Sequence, residues 1–217
     1  MKTMQRISVV TALAAIGGTT SLALAGDAFP PPWRGDPGST FQIWRFQNPT
    51  NPFPDEFHNP YGVPQMEFNP TLEWLPGPPE LPGYSGGVWC IPAGGSISFN
   101  IPNVVSTDRE KEIYFQIKYF SPGTVPTPSG VDAAGNQAQT CGPIFTPSPG
   151  GVPGQSYWAG SLCFPSCEGG ETITFSNVNP TQPMYIDQVV IDTRCIPTPA
   201  SLALLGLAGL VVTRRRR

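Results

Sequence analysis

Lys111-Glu112-Ile113-Tyr114-Phe115-Gln116-Ile117-Lys118-Tyr119-Phe120 alternates from end to end. Ile113, Phe115, Ile117 and Tyr119 share one side of an extended chain, and Glu112, Tyr114, Gln116 and Lys118 share the other. A period of two marks a strand with one face in a core, so the first set is expected inward and the second outward. Working outward, Ser96 to Ile101 repeats the pattern, with Ile97, Phe99 and Ile101 opposite Ser96, Ser98 and Asn100. Thr172 to Phe175 does so again, burying Ile173 and Phe175. In Met184 to Thr193 the apolar phase slips from Met184/Ile186 to Val189/Ile191, which predicts a bulge near Asp187-Gln188. Ser39 to Gln47 is a further strand, and Val88 to Ile91 and Ser156 to Phe164 carry weaker signals. No stretch of the body has a period of 3.6 residues. The expected fold class is therefore all-β, an antiparallel two-sheet sandwich, jelly-roll-like, around one core.

Composition agrees. The 217 residues include 28 Pro and 24 Gly, a density that would fit disorder, but also 12 Phe, 6 Tyr and 5 Trp. Disordered chains are poor in aromatics because they cannot bury enough apolar surface to offset chain entropy. Many turns between short strands reconcile the two facts. Three Asn-Pro-Thr triplets, at Asn48, Asn69 and Asn179, fit turn starts, as does Asn59-Pro60-Tyr61-Gly62. The Pro-, Gly- and Thr-rich span Ser121 to Gln155 reads as a long functional or mobile loop.

The two ends differ from the body. Lys2 and Arg6, the apolar run Ile7 to Ile16 and the small residues Ala23 and Ala25 make a secretory signal, residues 1–25, with cleavage after Ala25. The other end has a prolyl boundary, an apolar run from Leu202 to Val212 and four arginines, Arg214, Arg215, Arg216 and Arg217. As a helix that run is roughly 20 Å long, short of a hydrocarbon core of about 30 Å. Positive charge stays on the cytoplasmic side, so the body is expected outside. Without these ends, six bases remain against all 15 acids, a net charge near −9. That balance argues against nucleic acid as a partner.

Pro197-Thr198-Pro199-Ala200-Ser201 followed by the run containing Leu202, Leu204, Leu205, Leu207 and Leu210 and then by the arginines resembles the PEP-CTERM sorting signal. That family has Pro-Glu-Pro-Ala/Thr, a Leu/Gly-rich helix and basic residues, and Thr198 stands where Glu is usual. The resemblance implies a single-helix sorting tail over 197–217, anchored transiently in the inner membrane and processed by an exosortase near the prolyl motif. With signal peptidase, expected from the small residues Ala23 and Ala25, as the other export partner, the exported domain spans 26–196 and is expected at the cell surface or in extracellular matrix. The segments Pro32 to Phe46, Asn59 to Gly62 and Tyr185 to Asp192 also resemble PEP-CTERM proteins with predicted β-sandwich bodies, and this resemblance supplies no catalytic residue.

Chemistry-bearing residues are few. Cys90, Cys141, Cys163, Cys167 and Cys195 are candidate disulfide cysteines in an oxidising envelope, with a Cys163–Cys167 loop and a Cys90–Cys195 tie as the first pairings to consider. His58 is the one imidazole, in a polar turn context, and no Gly-x-Ser-x-Gly elbow accompanies it. No cofactor is expected. A structural calcium would draw on Asp187 and Asp192 with Asp36 or Asp108, although no Asp-rich loop motif is present. Trp33, Trp44, Trp74 and Trp158 are candidate glycan-contact rings, with a core role as the alternative. The expected function is a non-catalytic structural or adhesive role. A carbohydrate-binding module for matrix polysaccharide is second, and a secreted hydrolase third.

Overall fold

Every alternating segment forms a strand in the computed structural model, which describes residues 27–77, 86–106, 108–121, 124–142, 145–149 and 154–197. The expected signal peptide, with Ala23 and Ala25, lies outside the described residues. So does the tail from Thr198 onward, including Pro199, Ala200, the leucines and the four arginines. The strands are β1 (Thr40–Trp44), β2 (Glu56–His58), β3 (Gln65–Glu67), β4 (Glu73–Pro76), β5 (Gly87–Ile91), β6 (Ser96–Ser106) and β7 (Arg109–Phe120). They continue as β8 (Thr127–Asp132), β9 (Gln139–Thr140), β10 (Phe145–Pro149), β11 (Gln155–Phe164), β12 (Cys167–Ser176) and β13 (Met184–Pro197). The described residues contain no helix.

The strands make two antiparallel sheets. The larger runs β10-β11-β7-β13-β1-β2, with β5 also on β13, β4 on β5 and β9 on β11; the smaller runs β3-β6-β12-β8. The predicted bulge is present, since the β13–β7 register shifts between Ile186 and Gln188. One apolar cluster joins the sheets: Ile113, Phe115 and Ile117 from β7 meet Phe99 from β6 and Ile173 and Phe175 from β12. Aromatic rings cross the interface, Trp44 to Phe99 at 4.7 Å between centroids and Phe115 to Phe175 at 5.4 Å. Tilted and edge-on contacts at these distances add to the area they bury.

The outer face of β7 departs from expectation. Tyr114, Gln116 and Lys118 are buried as well. For Tyr114 and Gln116 the cause is the chain from Asp27 to Gly38, which crosses that face: Trp33 packs on Tyr114 and Ala159. Phe29 N donates to Gln116 Oε1 at 2.7 Å, and Gln116 Nε2 donates to Asp27 Oδ1 at 2.6 Å. Arg194 lies 4.7 Å over the Trp33 ring. A polar strand face can thus be buried when a second segment brings partners for it.

Two further expectations are corrected. Ser121 to Gln155 is not one long loop, because β8 pairs with β12 along six residues and β9 and β10 flank β11. The disulfides are Cys141–Cys163 and Cys167–Cys195, leaving Cys90 as the thiol. Cys163 and Cys167 do not close a small loop, because the chain passes from the larger sheet to the smaller between them. Cys90 cannot reach Cys195. It pairs in register with Tyr185, and ten further residues along β13 cover about 30 Å.

Candidate ligand cleft and the polar centre beneath it

The alternation that buries Ile97, Phe99 and Ile101 necessarily turns Ser98, Asn100 and Pro102 to the other face of the smaller sheet. Thr172 and Thr174 from β12 and Gln65 and Glu67 from β3 share that face through their registers with β6. Its groups are tied side to side. Asn100 Nδ2 donates to Glu67 Oε1 at 2.8 Å, Thr172 Oγ1 donates to Asn100 Oδ1 at 2.7 Å, and Ser98 and Thr174 hydroxyls are 2.8 Å apart. These bonds hold Asn100 in one orientation. At one end of the face opens a cleft of about 470 Å³, floored by Asn100, Pro102, Gly170 and Thr172. Val63 and Gln65 form one wall, and Val131, Asp132 and Ala133 the other. No basic side chain lines it. The Asp132 carboxylate is turned to its own loop, accepting from Ala134 N, Asn136 N and Asn136 Nδ2 at 2.8–3.0 Å. The cleft therefore offers neutral hydrogen-bonding groups and small apolar walls.

Directly under the cleft floor, Glu171 points the other way, into the space between the sheets. Its side chain is 3% exposed and pairs with Lys111, itself 2% exposed, at 3.2 Å. Asn103 Nδ2 reaches Glu171 Oε1 at 3.4 Å and Thr193 Oγ1 at 3.1 Å, and Lys111 Nζ donates to the same Thr193 Oγ1 at 3.2 Å. Thr40 Oγ1 lies 2.7 Å from Thr193 Oγ1. Burial pushes the Lys111 ammonium down and the Glu171 carboxyl up, and nearby Asp132 raises Glu171 further.

A second charged cluster ties down the chain from Asp27 to Gly38, a strap across the outer face of the larger sheet. Arg34 donates to both oxygens of Asp192, at 2.5 and 2.6 Å, and also pairs with Asp27. Burial pushes Asp192 up to about 6, with the Arg34 hydrogen bond and charge pulling the other way. Tyr114 rises to about 12 because it is buried beside Asp192. Across the bulge, Lys118 Nζ holds Asp187 at 2.7 Å.

The sequence-predicted sites fare differently. Trp44, Trp158 and Trp33 are 1%, 6% and 7% exposed, so none presents a ring face to a sugar. Their size fills a core that turn-rich strands leave short of aliphatic residues. Trp74 is half-buried; its Nε1 donates to Phe46 O at 2.9 Å, and its ring occupies the place a side chain at Gly87 would take. The four rings do not form a binding face. Asp187 and Asp192 are each engaged by a base and are not joined by Asp36 or Asp108. Among the described residues no three His, Cys, Asp or Glu side chains converge as a metal site. His58 stands exposed on β2, in register with Phe41. The cleft residues were half visible in the sequence: Ser98 and Asn100 fall on one polar face by alternation, but the walls come from turn-rich segments with no periodic signal.

No family model and no curated protein matches the chain. Among solved structures, the mosquito-larvicidal Cry4Aa toxin from Bacillus thuringiensis is similar over 64% of this chain at 10% identity, with a TM-score of 0.34. The chain spans about a quarter of that toxin, 24%. TmCBM27, a carbohydrate-binding module described for specific mannan recognition, is similar over 59% of this chain and 84% of its own, at 14% identity and a TM-score of 0.29. Likenesses at this level transfer no residue roles.

Proposed function

We propose that the protein is an exported component of the cell surface or extracellular matrix, with a structural or adhesive role and no catalysis of an external substrate. The observation that carries this reading is the pair of disulfides, which takes up four of the five cysteines and includes one that ties sheet to sheet. Such bonds persist in oxidising compartments. The leader over 1–25 and the PEP-CTERM-like tail over 197–217 supply the address, with signal peptidase and an exosortase as the processing partners. The finer description of the body as jelly-roll-like belongs to the same proposal. Fractionation tests it: the full chain is retained at the surface or in matrix, and a chain ending at Ile196 is released to the medium. Identical distribution of the two would refute the sorting role.

The cleft on the smaller sheet favours a second, compatible reading, in which the adhesive partner is a neutral polysaccharide. Fixed amide and hydroxyl groups beside small apolar walls suit a polyhydroxylated chain, and the lack of lining bases, on a body near −9, disfavours anionic glycans. Under this reading Asn100→Ala and Thr172→Val each weaken binding of a neutral glycan by up to about tenfold without lowering the melting temperature appreciably. Calorimetry with neutral and acidic polysaccharides checks it, and unchanged affinity in both variants would exclude the cleft.

A further inference from the structure

We propose that Lys111 and Asn103 join through their side chains in an intramolecular amide bond, formed between the two sheets with Glu171 as the acid–base group. Lys111 is on β7 of the larger sheet, and Asn103 and Glu171 are on β6 and β12 of the smaller. All three are buried. The two side-chain nitrogens rest on the same two oxygens: Glu171 Oε1 at 3.2 and 3.4 Å, and Thr193 Oγ1 at 3.2 and 3.1 Å. Thr193, accepting from both, also shares a hydrogen bond of 2.7 Å with the Thr40 hydroxyl. The electrophile is prepared as well, since Val104 N donates to Asn103 Oδ1 at 2.8 Å, where negative charge would develop during attack.

The chemistry balances without any external reagent. Lys111 passes a proton to Glu171 and becomes a neutral amine, the form that desolvation favours for both groups. Its Nζ lone pair forms a bond to Asn103 Cγ, and the displaced π pair moves to Oδ1, held by the Val104 N–H. Glu171 gives its proton to Asn103 Nδ2 and takes one from Nζ. The carbonyl re-forms as the Cγ–Nδ2 bond breaks, and ammonia leaves. The products are a secondary amide, ammonia and a protonated Glu171; ammonia then takes that proton and leaves as ammonium, which restores the carboxylate. An amide exchange of this kind is slow between free molecules, but oriented neighbours reach effective molarities of about 10⁵ M or more. The link would fasten β6 to β7 across the sheet interface, near the disulfide that fastens β12 to β13. It does not depend on the export reading, because its groups are all internal.

Mass spectrometry of the folded, purified full chain after denaturation and reduction tests this. The expected mass is lower by one ammonia than the sequence requires. Trypsin is expected to spare the bond after Lys111, giving the peptide 110–118 attached to the peptide that carries Asn103 and ends at Arg109. Lys111→Arg and Glu171→Gln are expected to keep the full mass. Chain held in urea from synthesis should also keep it, so a variant that fails to fold does not decide the matter alone. A wild-type chain of full mass, cut normally after Lys111, would overturn the proposal. So would an ammonia loss that survives in Lys111→Arg, which would place it elsewhere.

Discussion

Arg34 is the residue on which the covering of the larger sheet depends. It neutralises Asp192, from β13, and Asp27, from the strap, in a setting where neither carboxylate has water to solvate it. Removing one partner of a buried pair leaves an uncompensated charge, so Arg34→Ala should cost about 3–5 kcal/mol, read as a lower urea midpoint. Asp192 gives a pH signature of known sign. Its folded pKa, about 6, lies above its unfolded value, so the folded state binds this proton more tightly. The resulting stabilisation is fully present below about pH 4 and is lost as pH rises through about 6. Thermal melts at pH 4 and pH 7 should differ less in Asp192→Asn than in the wild type. An equal or larger difference would remove Asp192 as the source.

At the scale of elements, the Cys167–Cys195 bridge is the covalent tie between β12 and β13 and closes a separation of 28 residues. Replacing both cysteines with Ser should lower stability by roughly 3–4 kcal/mol on loop entropy, with unchanged secondary structure by circular dichroism. β7 was legible because its inward side chains from Ile113 to Tyr119 are all large and buried in the core, even though its outer face is covered too and Lys111 breaks the apolar series at its start. The strap escaped notice because Trp33-Arg34-Gly35-Asp36-Pro37-Gly38 reads as turns and does fold as turns. What it contributes is tertiary. β8 was missed for another reason: Thr127-Pro128-Ser129-Gly130-Val131-Asp132 has loop composition. Proline is tolerated there because β8 is an edge of its sheet. Gly130 lies close to the core, since a Cβ there would sit 3.0 Å from Phe164 and 3.1 Å from Ile173 and would press both side chains back by a few tenths of an ångström. The Asn-Pro-Thr turns were readable because their mechanism is local: Asn48, Asn69 and Asn179 each accept from the backbone N–H two residues on. Disulfide pairing and the Lys111–Asn103–Glu171 meeting depend on which strands face each other, and spacing along the chain does not encode that.

At the scale of the whole molecule, the body is an acidic pair of sheets, tied by a disulfide, between two basic ends that the proposed function treats as addresses. One shared aromatic core and the Cys167–Cys195 bridge hold the two sheets together. The cleft of about 470 Å³ lies on the smaller sheet, away from the strap. Under the proposed function this body works outside the cell after both ends have done their task. The most direct test is the intact mass of the protein recovered from the producing cell's outer surface, with thiols alkylated before and after reduction. The prediction is a chain that starts at Gly26, has lost the tail beyond the prolyl motif, and shows one alkylated thiol before reduction and five after. A full-length chain of 217 residues, recovered inside the cell with five thiols open before reduction, would contradict it.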